Sequence, residues 1–318
     1  MPLWLSESDV RAALPMGDLI DAMQLALISF SAGRVVQPVR TVLEFRPGAY
    51  FGLMPALDPD GLLGAKILTV LPENLPLGLP SHQASIALFD PSSGALLAIT
   101  DGRYITEART AAVSAISVRH MAQSGAGVLA ILGSGVQAHS HMEALPLVRE
   151  FREIRTWSPN AERLRKFTSH WNIIAAASAE QAVRGAGVVV LATSSNTPVI
   201  DDAWVAPGAH VIAVGACRPT TREVDPRLVA RSLFVVDSRA AALKEAGDLL
   251  LAIQDGHCTA EHIHAELGEI AGGLKAGRSD DRQVTLFKSL GLAIEDVVSA
   301  ALAYRRAVAS GRGIQVPL

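Results

Sequence analysis

Three observations predict an α/β chain of two parts. An apolar run, Val128–Leu132, ends in Gly133-Ser134-Gly135-Val136-Gln137-Ala138; apolar β-type runs alternate regularly with helical stretches after it; and short β runs broken by Pro and Gly precede it. The later part is expected to be a doubly wound parallel sheet and the earlier part a separate α+β domain.

Composition sets the limits. At 318 residues, with 49% hydrophobic and 19% charged residues, the chain can fill two cores. A formal net charge of -3 offers no basic field for nucleic acid. No run approaches the length of a membrane span, and the first residues, Met-Pro-Leu-Trp-Leu-Ser-Glu, lack the basic and apolar regions of a signal peptide, so no membrane partner is expected. Cys217 and Cys258 are too few for a disulfide framework, which predicts a reduced, cytoplasmic protein.

Taken in order, Ser6-Glu7-Ser8-Asp9 reads as the cap of a short helix ending near Leu14, and Pro15-Met16-Gly17-Asp18 opens an amphipathic one. Leu19, Ile20, Met23, Leu27 and Phe30 recur at helical spacing until Gly33 stops it, so they form its buried face. From Pro38 the pattern changes to β runs at Thr41–Phe45, Tyr50–Met54, Gly64–Val70 and Ala84–Phe89. Asp90-Pro91-Ser92-Ser93-Gly94 is a hairpin turn into Ala95–Thr100, and the whole region reads as antiparallel or mixed.

Three cations stand among apolar neighbours in this first part: Arg40, Lys66 and Arg109. Burying a cation without an anionic partner is expensive, so the three together suggest a pocket for a carboxylate, weighed against surface cations or internal ion pairs. Arg109 reads as opening the small-residue helix Arg109–Ala115, where its guanidinium and the helix N-terminus would face one anion. His82 precedes a β run and by pattern alone reads as a hydrogen-bonded structural histidine.

The glycine-rich stretch has the spacing of the dinucleotide fingerprint, with the required strand before it and helix after it. Gly133 takes the tight turn, Gly135 lets the backbone approach a pyrophosphate, and Ala138 lets the helix pack close to the strand. The helix then points its N-terminal N–H groups at the phosphates. Such a domain needs its remaining chemistry from elsewhere, which makes the preceding β region the candidate substrate domain.

Beyond it the βα rhythm continues with a strand at Ile154–Trp157, a helix at Asn160–His170, a short strand at Ile173–Ala176 and a helix at Ala179–Arg184. Val188–Thr193, Val211–Ala216 and Leu233–Val236 are continuously apolar, as buried parallel strands are. Thr193-Ser194-Ser195 and Gly215-Ala216-Cys217 follow strand ends, where α/β sheets bind ligands. Asp225, before Pro226, reads first as a helix cap. An NAD-specific site carries an acid at the end of the second strand; here that place is Thr156-Trp157-Ser158-Pro159-Asn160, and Ser158, Asn160 and Arg163 offer donors to a 2′-phosphate. NADPH is therefore favoured, with NADH possible. No metal is expected: His139 and His141 are two apart on a helix and face different ways, and His257, Cys258, His262 and His264, the last two likewise two apart, have no matching strand-borne ligands.

Several separate motifs in one order resemble the ornithine cyclodeaminase/mu-crystallin family. They are Leu79-Pro80-Ser81-His82-Gln83, Asp101-Gly102-Arg103-Tyr104-Ile105-Thr106 leading to Arg109–Ala115, Leu132–Ala138, Val214-Gly215-Ala216 with Arg218-Pro219, Ala242-Leu243-Lys244-Glu245 with Gly247-Asp248, Glu266-Leu267-Gly268-Glu269 and Phe287-Lys288-Ser289-Leu290-Gly291. The likeness is greatest to the mu-crystallin branch, the ketimine reductases.

The resemblance implies a substrate-binding and dimerisation domain at 1–121, a Rossmann NAD(P)-binding domain at 122–291, and a C-terminal segment, 292–318, whose helix returns to the first domain. It implies a homodimer. It assigns Arg40, Lys66 and Arg109 to the substrate carboxylate, places His82 in the pocket, and promotes Asp225 to the acid beside the substrate nitrogen, with Lys66 helping to relay the proton. The cofactor falls to Gly133, Ser134, Gly135, Val136, Gln137, Ser158, Asn160, Arg163, Thr193, Ser194, Val214, Gly215 and Ala216. The implied reaction is NAD(P)H-dependent reduction of a cyclic or linear α-imino acid. The alternatives are redox-neutral ornithine cyclodeamination and NADPH-dependent binding of a small ligand without turnover. Two departures bear on the choice: Pro159 stands where the mu-crystallin branch has an arginine, and Gly52 stands where cyclodeaminases have a glutamate before Leu-Met-Pro.

Overall fold

In the computed structural model, which describes residues 1–58 and 61–317, the chain begins with strand β1 (Leu3–Leu5) and helix α1 (Glu7–Ala13). Ser6 and Asp9 cap α1 reciprocally: the Ser6 hydroxyl accepts from the Asp9 N–H and the Asp9 carboxylate accepts from the Ser6 N–H. Helix α2 (Met16–Ser31) buries Leu19, Ile20, Met23 and Leu27 of the stripe its periodicity predicts, while Phe30 is only half-buried.

Strands β2 (Thr41–Arg46), β3 (Ala49–Asp58), β4 (Leu62–Val70), β5 (His82–Phe89) and β6 (Leu96–Asp101) follow, then helix α3 (Arg103–Met121). Two differences from the sequence reading bear on the site. His82 is the first residue of β5 rather than a residue before it, paired with Val70. Helix α3 starts at Arg103, because the Asp101 carboxylate accepts from the Tyr104 N–H and the Gly102 carbonyl accepts from the Thr106 N–H. Arg109 therefore lies inside the helix and shares no helix N-terminus with an anion.

The chain continues through β7 (Val128–Leu132), α4 (Val136–Ala144), β8 (Glu153–Trp157), α5 (Ala161–Trp171), β9 (Ile174–Ala175), α6 (Ala179–Val183), β10 (Val188–Leu191) and β11 (His210–Ala213). Next come α7 (Pro226–Arg231), β12 (Leu233–Val236), α8 (Arg239–Glu245), α9 (Gly247–Gln254), β13 (Ile263–Glu266), α10 (Leu267–Ala271) and β14 (Thr285–Lys288). Helix α11 (Ala293–Ser310) and strand β15 (Ile314–Gln315) end the described chain; Leu318, the last residue of the segment expected to return, lies outside the described residues.

Contacts divide the chain into Met1–Arg109 with Gly291–Leu318, and Thr110–Leu290. The division falls within α3, whereas the boundary drawn from sequence follows the end of that helix. In the first unit a seven-stranded sheet runs β15-β1-β6-β5-β4-β3-β2, antiparallel except for the β1–β6 pair. Helix α11 packs against α1, α2 and strands β3 to β5, burying Ile294, Val297 and Ala300. The register Leu43↔Phe51 and Leu53↔Ile67 gathers these four side chains, with Phe45, on one exposed face.

In the second unit the eight strands run β13-β12-β14-β11-β10-β7-β8-β9, all parallel. The direction of build-up reverses between β7 and β10, which makes their carboxyl ends the topological switch point. Strands β10 and β11 stop at Leu191 and Ala213, short of the ends read from sequence, and so leave Thr193 and Gly215 in the turns beyond them. Strand β14 escaped the apolar criterion because Thr285 and Lys288, both fully buried, bound it.

Candidate active site

Within the first unit, β4 carries Lys66 on a face otherwise occupied by Met54 and Ile86, its partners across the sheet. Such a side chain is retained in a sheet interior only with a carboxylate beside it. That carboxylate is Asp296, in the first turn of α11, with Oδ2 at 2.6 Å from the Lys66 Nζ. Lys66 also donates to the Thr106 hydroxyl at 3.3 Å. Arg109 joins the same group: its Nε meets Asp296 Oδ1 at 3.3 Å and its NH1 meets Glu295 Oε2 at 2.9 Å. Arg40 donates to the Gly291 carbonyl at 3.2 Å. Gly291 has φ +85 and lies so close to the Arg109 guanidinium that a Cβ would collide with it.

The structure thus brings Arg40, Lys66 and Arg109 together, and it adds two acids that the sequence reading missed. Lys66, Glu295 and Asp296 are almost wholly buried, and Arg109 is 5% exposed. Three cations and two carboxylates leave these five side chains with one excess positive charge. The missed signal was the converse of the one applied to the cations: Glu295-Asp296 sits in an otherwise apolar stretch from Leu290 to Ala301, where buried anions need cations equally.

Electrostatics follow from the packing. Burial pulls the Lys66 ammonium down to about 8; Asp296 opposes this, while Arg109 and Arg40 push the same way as burial. Burial also opposes ionisation of Asp296, but Lys66 and Arg109 overcome it and hold the carboxyl below its usual range. His82 is pulled down to about 4, first by burial and then by the Lys66 charge, so it is neutral at physiological pH.

The second unit carries the fingerprint. Gly133 has φ +124, and a Cβ there would strike the Ala192 carbonyl, so only glycine makes this turn. Its N–H donates to the Trp157 carbonyl at 2.9 Å, and its carbonyl accepts from the Thr156 hydroxyl at 3.3 Å. Gly135 caps α4 without a side chain, and a Cβ added there meets nothing within 4 Å. Gln137 in the first turn has a buried Oε1 with no hydrogen-bond partner among the described residues. An uncapped helix start and an open approach fit the diphosphate of a dinucleotide, while the Gln137 oxygen, an acceptor, calls for a donor such as a hydroxyl.

The other nominated residues are distributed unevenly. Asn160 spends its Oδ1 on the Arg163 N–H as the cap of α5, which leaves its amide N–H groups as donors. The N–H groups of Gly215 and Ala216 both donate to Glu223 Oε1, at 2.6 and 3.2 Å, and the Thr193 hydroxyl donates to Glu223 Oε2 at 3.0 Å. Asp225 caps α7 by accepting from the Arg227 N–H at 2.8 Å, and its Oδ2 pairs with Arg227 NH2 at 2.6 Å. Burial opposes its ionisation, yet the Arg227 bonds prevail and keep it a carboxylate. Among the described residues, no group of three or more His, Cys, Asp or Glu side chains is arranged to hold a metal. His139 instead accepts from the Trp171 indole at 3.0 Å, and His141 is hydrogen-bonded to Ser114 and the Gln137 carbonyl.

The sequence profile of the ornithine cyclodeaminase/mu-crystallin family matches residues 2–311. The chain is 43% identical over 311 residues to ketimine reductase mu-crystallin of Mus musculus, spanning 95% of this chain and 96% of the mouse protein. The structure of Thermococcus litoralis Delta(1)-pyrroline-2-carboxylate reductase in complex with NADH and L-proline matches with a TM-score of 0.95 at 35% identity, covering 99% of this chain and 100% of that one. An archaeal alanine dehydrogenase dimer with bound NAD matches with a TM-score of 0.95 at 32% identity, covering 100% of this chain and 99% of that one.

Removing one member of a buried ion cluster leaves the others uncompensated. Asp296→Ala is therefore expected to destabilise the protein by roughly 3–5 kcal/mol in urea unfolding. A loss below about 1 kcal/mol, the scale of an exposed pair, would show that Asp296 does not hold the cluster.

Proposed function

The chain belongs to the ornithine cyclodeaminase/mu-crystallin family, and from that premise we infer that it is an NAD(P)H-dependent oxidoreductase that reduces cyclic or linear α-imino acids at the C=N carbon. The observation that carries this reading is the cluster in which half-buried Arg40 joins buried Lys66 and Arg109 beside Glu295 and Asp296, three cations to two carboxylates, which suits a substrate with one carboxylate. The named relatives reduce a ketimine or pyrroline-2-carboxylate.

When bound, a nicotinamide cofactor would supply the hydride. Arg40 and Arg109 bind the carboxylate and so fix the adjacent imine carbon, turning an encounter into an oriented one. Lys66, still largely protonated at neutral pH, holds a proton for the imine nitrogen, and the resulting iminium accepts hydride more readily. Neutral His82 adds no competing charge. Asp225, kept ionised by Arg227, is read as the group that stabilises the iminium.

Cyclodeamination requires an acid to manage a second amino group. Gly52 supplies none, and a Cβ there would press on the Leu68 side chain at 3.0 Å. Glu44 accepts from the Gly48 N–H at 2.8 Å in the β2–β3 hairpin and is no substitute. NADPH is the preferred cofactor, with NADH accepted, because no acid ends β8 to repel a 2′-phosphate. The exposed apolar face of Leu43, Phe45, Phe51, Leu53 and Ile67 supports a homodimer formed through the first unit. Two free cysteines support a cytoplasmic setting.

A panel of imines, including pyrroline-2-carboxylate and piperideine-2-carboxylate, assayed with NADPH and with NADH, tests the reading. We expect oxidation of the reduced cofactor, a higher kcat/KM with NADPH, and no useful release of ammonia from L-ornithine with catalytic NAD. Ammonia release rivalling imine reduction would restore the cyclodeaminase assignment.

The Lys66 ammonium is lost as pH rises through about 8, so kcat/KM for reduction is expected to fall over that interval. Asp296→Asn removes the charge that holds the ammonium up and should move the falling limb to lower pH; a limb that stays in place removes Lys66 as the proton source. Asparagine caps helices as well as aspartate, so Asp225→Asn should keep the fold and cofactor binding while kcat collapses. Unchanged turnover in that variant would leave Asp225 as a helix cap alone.

A further inference from the structure

A second buried ionic group lies in the Thr110–Leu290 unit, and the mechanism above does not use it. Glu223, Asp248 and Lys288 are all 0% exposed. Lys288 Nζ pairs with Asp248 Oδ2 at 2.9 Å, while Asp248 Oδ1 accepts from the N–H groups of Glu223 and Val224 at 2.8 and 3.0 Å. Asp248 thereby fixes the backbone at Glu223. The Glu223 carboxylate is spread over two turns: Oε2 takes the Thr193 hydroxyl beyond β10, and Oε1 takes the Gly215 and Ala216 N–H groups beyond β11.

These two turns leave neighbouring parallel strands whose ladder ends at Leu191 and Ala213. The last backbone bond between them that the described residues show runs from the Val214 N–H to the Leu191 carbonyl at 3.1 Å, and beyond it the side chain of Glu223 joins the two turns. Space at the crossing is filled, since a Cβ on Gly215 would collide with the Thr193 carbonyl and crowd Glu223 Oε2 at 2.5 Å. The fingerprint lies at the end of β7, and the place for the adenosine ribose lies at the end of β8 on one side of it. The other half of a dinucleotide must then extend over the ends of β10 and β11.

We propose that Glu223 is a positioning residue for the nicotinamide half of the cofactor site, clamping the Thr193 turn to the Gly215-Ala216 turn so that the floor under the ring is set before the cofactor arrives. The proposal rests on the assignment of a nicotinamide cofactor, and it is independent of which imine is reduced. It also revises the role of Gly215 and Ala216: their N–H groups serve the clamp, and other atoms of these turns face the ligand. Lys288 and Asp248 neutralise each other, so Glu223 contributes the uncompensated charge, and burial pushes its carboxyl up to about 7 against the pull of Lys288. A neutral isostere is therefore tolerated at this site, provided that it keeps an acceptor oxygen.

The experiment compares Glu223→Ala with Glu223→Gln in the full-length protein. It uses NADH titration by fluorescence, steady-state kinetics, and hydrogen exchange of the Gly215 and Ala216 amides without cofactor. Glu223→Ala should speed exchange at both amides and raise the Kd and KM for NADH roughly tenfold or more, with a much smaller change in kcat. Glu223→Gln, which retains the acceptor, should recover most of the affinity. Unchanged NADH affinity in the alanine variant, or a glutamine variant as impaired as the alanine one, would overturn the proposal. If the alanine variant does not fold, Glu223→Asp, one methylene too short for both legs, decides by the same titration. A wild-type protein that binds NADH yet reduces no imine would sink the substrate reading and leave the clamp standing.

Discussion

A lysine set in the middle of a β-sheet must meet a carboxylate, and in this protein the carboxylate arrives from the far end of the chain. Lys66 on β4 is held by Asp296 on α11, which also engages Arg109 from α3. No apolar contact substitutes for this arrangement, because buried charge left unpaired costs more than the packing around it contributes. The requirement draws α11 back across the sheet, and its apolar face is then buried against α1 and α2. The discontinuity of the first unit, with its last helix and strand drawn from residues after Gly291, is the topological expression of that ion cluster.

The same physics recurs with the sign reversed in the parallel sheet. Glu223 and Asp248 are buried acids; Lys288 from β14 pairs with Asp248, and Glu223 is met by the Thr193 hydroxyl and two backbone N–H groups. The buried charges of both clusters each find a partner. His210 shows this for neutral groups, lying between the hydroxyls of Ser117 and Thr285 at 2.9 and 2.8 Å and remaining uncharged because burial pulls it down to about 3.

The chemistry follows from these constraints. Burial and neighbouring guanidinium groups bring Lys66 from the ordinary lysine range to near 8, where it holds a proton at neutral pH and gives it up readily. The carboxylates that make its burial possible also leave the cluster only one charge in excess, so that a monoanion is complementary to it. A surface group of three cations would instead attract any polyanion. Asp225 shows the converse, a carboxylate kept ionised in a partly buried place by the arginine two residues along its own helix.

How much of this was legible depended on the range over which each residue is satisfied. The fingerprint turn, the cap at Ser6–Asp9 and most of the apolar stripe of α2 could be read directly, because each is settled by residues within a turn or two in sequence. The start of α3 at Arg103 was equally local, but its signal, Asp101 accepting from the Tyr104 N–H, was overshadowed by the small residues after Arg109. The cations at 40, 66 and 109 were recognisable as groups in need of anions; that Glu295 and Asp296 would meet Lys66 and Arg109 was not. Nor was the place of β14 between β11 and β12, or the closure of two turns by Glu223. The sequence by itself determined the local conformations and which side chains could not remain alone in a core. Only the tertiary structure decided their partners, because a buried charge can be matched by any opposite charge that chain closure brings within reach, and that closure is set by the packing of the whole unit.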